Sequence, residues 1–224
     1  MSTPPPSRWI RWGLDQAPVL LVVLVLFGFG RMSDRFLTAD NLMQILLQAA
    51  APMIVATGMT FVLLTAGVDL SVGAVMFVGA AIAGKLAVAG HAPALCFAAM
   101  LAVGLLGGGL NALLVTRLRL AAFIATLAML FIGRGLGRWI TQTRAMNLPD
   151  TFLEWGSARL LGIPVPVFVA AGVALAAQLV LSRTPFGRQV LAFGNNPEAA
   201  HRAGVRTHSL QAAVYVLCGG CAAL

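Results

Sequence analysis

Residues 93–115 read PALCFAAMLAVGLLGGGLNALLV, 23 residues without a charge and with Asn111 as the one strongly polar side chain. At about 1.5 Å of rise per residue, such a helix covers roughly 34 Å, enough to cross about 30 Å of hydrocarbon. A helix apolar on every face belongs in a protein core or in a bilayer. Five further runs share this character, near residues 12–30, 42–64, 71–89, 121–141 and 164–181, and another opens at Ser209 and is still apolar at Leu224. The expected fold is all-α, a polytopic transmembrane helix bundle with about six complete spans and the start of a seventh. It is read as one domain over residues 1–224, with a polar loop at 182–208 inside it.

Composition agrees. Of 224 residues, 59% are hydrophobic and 10% charged, and the mean hydropathy is +0.90. An ordinary soluble domain carries about 25% charged residues. The net charge of +8 comes from 15 basic and 7 acidic side chains, Lys85 being the one lysine. The arginines are scattered between apolar runs, so they read as topology signals facing membrane lipids, and nucleic acid is not an expected partner.

With the N-terminus in the cytoplasm, Arg8, Arg11, Arg117, Arg119, Arg183, Arg188, Arg202 and Arg206 lie inside, and Arg31, Arg35, Lys85, Arg144 and Arg159 outside. The inside excess favours that orientation. Val19–Phe29 resembles the apolar part of a secretory signal, but Gly28, Phe29, Gly30 and Arg31 offer no small-residue cleavage site. A retained first span is expected, with Trp9 and Trp12 at the interface. The last run, from Ser209, would reach only about 24 Å, so the chain reads as a piece of something longer.

Signatures of catalysis and metal binding are missing from the sequence. Gly84-Lys85 is followed by Leu86, where a phosphate loop needs Ser or Thr. His91, His201 and His208 form no HExxH pattern, and Cys218 with Cys221 has CxxC spacing without a second pair, so these cysteines and Cys96 read as small packing residues. Neither enzyme activity nor a cofactor of its own is expected.

Residues 58–73, GMTFVLLTAGVDLSVG, interrupt two apolar runs with polar atoms. Two readings fit Asp69. Its carboxylate caps the helix opening near Ser71, with Gly67 and Gly73 permitting a tight turn; or the segment is a discontinuous stretch lining a cavity. Gly104 and Gly108 form a GxxxG pair beside Asn111, which reads as close helix packing with an interhelical hydrogen bond. Gly133 and Gly137 repeat the device beside Arg134, an intramembrane arginine within snorkelling reach of its span's end or a functional group. By polarity, the translocation-pathway candidates are Thr60, Thr65, Asp69, Ser71 and Asn111, with Arg134.

The loop at 143–162 holds Asp150 and Glu154 four residues apart with Phe152 between them. It is either a solvated cap over the bundle or a docking surface. The loop at 182–208 carries a miniature helix: Asn195 or Asn196 caps it, Pro197 suits its first position, Glu198 complements the dipole, and Gly204 suits a left-handed stop. About seven residues, Pro197 to Ala203, are too few to be stable alone. Either the host bundle or another subunit supplies the surface that holds them.

The runs GMTFVLLTAGVDLSVG at 58–73, AAFIATLAMLFIGRGL at 121–136 and FGRQVLAFGNNPEAAHRAGV at 186–205 resemble, in order and spacing, the ribose-type monosaccharide permease subunits of bacterial ATP-binding-cassette importers, also called the second carbohydrate-uptake family. The similarity runs from about Leu37 to the last residue. It implies that Asn195, Asn196, Pro197, Glu198, Ala199, Ala200 and Gly204 belong to a coupling helix seated on an ATP-hydrolysing subunit, which binds the ATP. It further implies a second permease copy, identical or not, a periplasmic sugar-binding protein, and the bacterial inner membrane. The family's outline has roughly ten spans, of which about a third would lie past Leu224; His201-Arg202 departs from its usual coupling segment. Two other readings stand beside it: a truncated remnant or assembly protein, and an ion-coupled carrier using Asp69 or Arg134.

Overall fold

The apolar runs fold as helices that end at the proline, glycine and polar interruptions between them. The computed structural model describes residues 16–224; Arg8, Arg11, Trp9 and Trp12, read above as topology and interface anchors, lie outside the described residues. In order come α1 (Ala17–Met32), α2 (Ala39–Leu64), α3 (Val72–Val88), α4 (Pro93–Ala112), a π-helical turn (Leu113–Arg117), α5 (Ala122–Thr141) and α6 (Asp150–Ser157). A hairpin of β1 (Arg159–Leu160) and β2 (Ile163–Pro164) follows, then α7 (Val165–Arg183), α8 (Pro185–Asn195), α9 (Pro197–Arg202) and α10 (Thr207–Ala222).

Among the described residues, four helices are long and apolar enough to cross a membrane: Ala39–Leu64, Pro93–Arg117, Ala122–Thr141 and Val165–Arg183. The apolar helices Ala17–Met32 and Val72–Val88 are shorter. The second is short because residues 65–71 are not helical.

Two compact units divide at Leu46 and Leu47. In the first, the turn after α1 is fixed locally: Phe29 and Phe36 rings lie 5.5 Å apart, and Asn41 donates to the Phe36 carbonyl at 2.7 Å. In the second unit, α4 packs along α10 and α3, and α5 packs on α3. Glycine permits the closest approach. A β-carbon on Gly104 or Gly108 would collide with backbone of α10, at Gly219 and Tyr215, and one on Gly219 would collide with Gly104. Across the bundle, Gly133 meets Ala74 and Gly137 meets the Phe77 ring. Gly58 of α2 likewise makes room for Cys218 and Cys221, so the CxxC spacing serves helix packing.

The segment at 143–162 departs from an all-α chain. Leu161 (φ 53°) and Gly162 (φ 81°) turn a two-residue antiparallel hairpin, the twist that positive φ at both turn positions gives. Before it, Leu148 and Phe152 pack on a cluster of Ala83, Ala87 and Cys96, and Phe152 stacks on Phe97 at 5.6 Å. The segment is a cap over α3 and α4.

Candidate functional site

The break between α2 and α3 is built by backbone geometry first. Ala66 is left-handed (φ 54°), Ala66 N–H donates to Leu63 and Gly67 N–H to Val62, both near 3 Å; this pairing ends a helix in the Schellman manner. The sequence reading gave the turn to Gly67 and Gly73. The structure puts the strained φ on Ala66 instead, and Gly67 is needed for room, since a β-carbon there would stand 3.0 Å from the Tyr215 hydroxyl and 3.2 Å from Val62 Cγ1. Gly73 has open space around it.

The chain then runs unwound to Ser71, and Thr65, Asp69 and Ser71 are buried. Asp69 Oδ1 accepts from Ser71 N–H at 2.9 Å and from Ser71 Oγ at 2.7 Å. Asn111, fully buried on α4, donates through Nδ2 to both Asp69 oxygens at 3.3 and 3.2 Å and to Ser71 Oγ at 2.7 Å. Asp69 thus binds Ser71, the residue immediately before α3, and no N–H inside the helix; the segment is irregular, as the second reading has it. Thr126 and Tyr215 add hydroxyls 3.5 Å from the Val68 carbonyl, long for hydrogen bonds of this kind. Asn111 Oδ1 is buried and receives no hydrogen bond, which costs about 1–3 kcal/mol.

Of the pathway candidates, Asp69, Ser71 and Asn111 meet in one knot. Thr65 is buried in the same break, its hydroxyl turned back to Val62 O at 2.8 Å. Thr60 and Arg134 do not join it: Thr60 is exposed and bonds Ala56 O of its own helix at 2.8 Å, and Arg134 is exposed on α5. Thr126 and Tyr215 were missed. Tyr215 is the single tyrosine of the chain, and a lone hydroxyl-bearing ring in an apolar run is a signal that could have been used, because buried Tyr hydroxyls seek partners.

The segment at 182–208 is an elbow of two helices rather than a loop with one. Thr184 caps α8, its hydroxyl accepting from Gly187 N–H at 3.2 Å and donating to Val180 O at 2.5 Å. Thr184-Pro185 is a cap followed by a first-position proline, a signature the sequence carried. α8 buries Val190 and Phe193 in a cluster with Phe61, Val62, Val214 and Tyr215. Gly194 lies so close to the end of α2 that a β-carbon would collide with the Leu64 carbonyl oxygen.

Asn196, not Asn195, caps α9, its Oδ1 accepting from Ala199 N–H at 3.0 Å. Glu198 pairs with Arg202 at 2.9 Å on the exposed side, worth about 0.3–0.5 kcal/mol. Gly204 is left-handed (φ 87°), and the helix is six residues long. Ala200 is buried in the bundle's cluster, whereas Pro197, Glu198, Ala199, His201 and Arg202 are exposed. The host bundle thus holds one face of α9 and leaves the other open. Among the described residues, no group of three metal-ligating side chains forms.

A family profile described as "Branched-chain amino acid transport system / permease component" matches residues 41–224. Over 218 residues the chain is 34% identical to the ribose import permease protein RbsC of Escherichia coli K12, covering 95% of this chain and 68% of that protein. It is 36% identical over 241 residues to the galactofuranose transporter permease protein YtfT of the same organism, covering 99% and 68%. With RbsC of Bacillus subtilis it shares 35% over 210 residues, covering 92% and 65%. No solved structure matches the chain.

Proposed function

Since the chain belongs to this family of transport permease components, we propose that it is the membrane-spanning subunit of an ATP-binding-cassette importer for a monosaccharide or related polyol. It is a multi-pass inner-membrane protein. In our reading α1, α2, α3, α4, α5 and α7 are six crossings and α10 begins a seventh, with the N-terminus in the cytoplasm. A periplasmic binding protein delivers the sugar, a second permease copy completes the pore, and ATP is bound and hydrolysed on a separate subunit.

The observation that carries this reading is the two-sidedness of α9. Ala200 is anchored in the bundle while Glu198, Ala199, His201 and Arg202 face outward, as a helix must if it is to be held by its host and still offered to a motor. Closure of the ATP-binding subunits moves the elbow and rocks the bundle between inward and outward access. A near-complete switch requires about 5.5 kcal/mol of preference between the two states. Asp69 and Ser71 in the unwound segment, with Asn111 on the neighbouring α4, are the polar groups we assign to the sugar's pathway; they are buried and bond one another in this state, so a neutral polyol reaches them as the bundle rocks and the break opens.

Crosslinking tests the docking role. Cys96, Cys218 and Cys221 are buried, so an Ala199→Cys variant presents one reactive thiol. Crosslinking to the ATP-hydrolysing subunit in native membranes is expected. A variant that transports normally and never captures that subunit would remove the coupling assignment.

A further inference from the structure

The turn between α4 and α5 carries strain that helix connection alone does not require. Leu113–Arg117 is a π-helical turn, Leu118 N–H reaches back to Leu113 O and Leu120 N–H to Leu114 O, both at 3.1 Å, and Arg119 is left-handed (φ 54°). π-turns and left-handed non-glycine residues persist where the surroundings over-determine them, often at functional sites. Here the distortion brings Arg117 and Arg119 to a cleft of about 380 Å³ shared with Thr116 and with His208, 89 residues further along the chain. A neighbouring cleft of about 330 Å³ also uses His208, together with Arg206 and His201.

No acidic side chain lines either cleft, and the nearby Glu198 is already paired with Arg202. The first N–H groups of α10, beside His208, have no side-chain cap, and a helix start adds positive potential of its own. Basic groups alone would suit any anion. What selects among anions is the adjoining surface: Leu118, Leu120, Phe123 and Ile124 are exposed and apolar, directly beside the two arginines in sequence.

We propose that this cleft binds the phosphate headgroup of an anionic phospholipid, with the acyl chains lying on the apolar surface at the start of α5. The turn joins two membrane-long helices, which sets it at the bilayer boundary whichever leaflet that is; the inference rests on the membrane-spanning reading. Arg117 and Arg119 grip the phosphate oxygens, and His208 closes the far side.

Thermal melts of the purified full chain in neutral detergent, titrated with phosphatidylglycerol, phosphatidylcholine or inorganic phosphate, test it. Phosphatidylglycerol should stabilise, and the Arg117→Gln/Arg119→Gln variant should weaken its apparent affinity on the order of 30-fold, the equivalent of about 2 kcal/mol at about 1 per arginine. Arg183→Gln/Arg188→Gln, outside the cleft, should leave that affinity within about twofold, as surface charges near but not at a site do. Equal losses in both variants, or equal stabilisation by phosphatidylcholine, would overturn the site. Equal protection by inorganic phosphate would make it a free-anion site and overturn the lipid. Unchanged lipid affinity with lost capture of the ATP-hydrolysing subunit would make the patch a protein contact and overturn it too. Carbonate extraction separates the premise: a wild-type chain washed from membranes refutes the spanning reading, whereas retention with no lipid preference refutes this proposal alone.

Discussion

Asn111 on α4 reaches Asp69 across 42 residues of sequence, its amide 3.2 Å from one carboxylate oxygen and 3.3 Å from the other. This contact ties the unwound segment between α2 and α3 to α4. Among the described residues no cation pairs with Asp69, so the carboxylate relies on neutral donors.

Removing the amide while keeping the bulk should therefore be costly. Asn111→Leu is expected to lower stability by about 2–3 kcal/mol, since a buried carboxyl group loses donors that water cannot replace. The exchange Asp69→Asn with Asn111→Asp restores one amide and one carboxylate across the same gap. Thermal melts in a double-mutant cycle should show a coupling of about 1 kcal/mol or more; additive losses would mean the two side chains act independently.

Ala66 and its neighbour respond in opposite directions. Ala66→Gly relieves a left-handed alanine and should stabilise by up to about 1 kcal/mol after the added freedom of the unfolded chain is counted. Gly67→Ala should destabilise, because its β-carbon would press on the Tyr215 hydroxyl. The same melts compare the pair directly.

Along α4 the glycines are not equivalent. Gly108→Ala places a β-carbon against the Tyr215 carbonyl and should cost about 1–3 kcal/mol through forced separation of α4 and α10. Gly109 has nothing within 4 Å, so Gly109→Ala should be neutral or gain about 1 kcal/mol from helix propensity. Yield of folded protein in membranes and melting temperature both report the contrast.

At the elbow, Asn196→Ala removes the α9 cap and should cost about 1 kcal/mol locally. Hydrogen exchange at the Ala199 amide would then rise about fivefold, with Asn195→Ala as the silent control. Gly204→Val forces a β-branched residue into φ 87°; with Glu198→Lys it should uncouple ATP hydrolysis from uptake while insertion is preserved, read by ATPase stimulation in the reconstituted complex.

Much of this is legible in the sequence. Apolar runs mark where helices lie because burial in hydrocarbon requires them, and Pro197 and Gly204 mark a start and a stop because their φ preferences are local; Thr184-Pro185 carries the same kind of signal and went unread. Side-chain convergence is less so. Asp69 and Ser71 announce a polar break by themselves, but nothing local says that Thr60 turns outward while Thr126 and Tyr215 turn in, since that depends on helix rotation set by glycine contacts such as Gly108 with Tyr215. By local preference Gly67 is the better candidate for a positive φ than Ala66, but the tight space near Tyr215 is what requires the glycine there, and the left-handed turn falls on Ala66.

The abutment of Gly194 on the Leu64 carbonyl is a joint without play. Where two helices meet through side chains, a displacement of one is partly absorbed as rotamers shift; bare backbone against bare backbone has no such cushion. Any shift of α8 along that line is delivered undamped to the last turn of α2, at the threshold of the segment that holds Asp69.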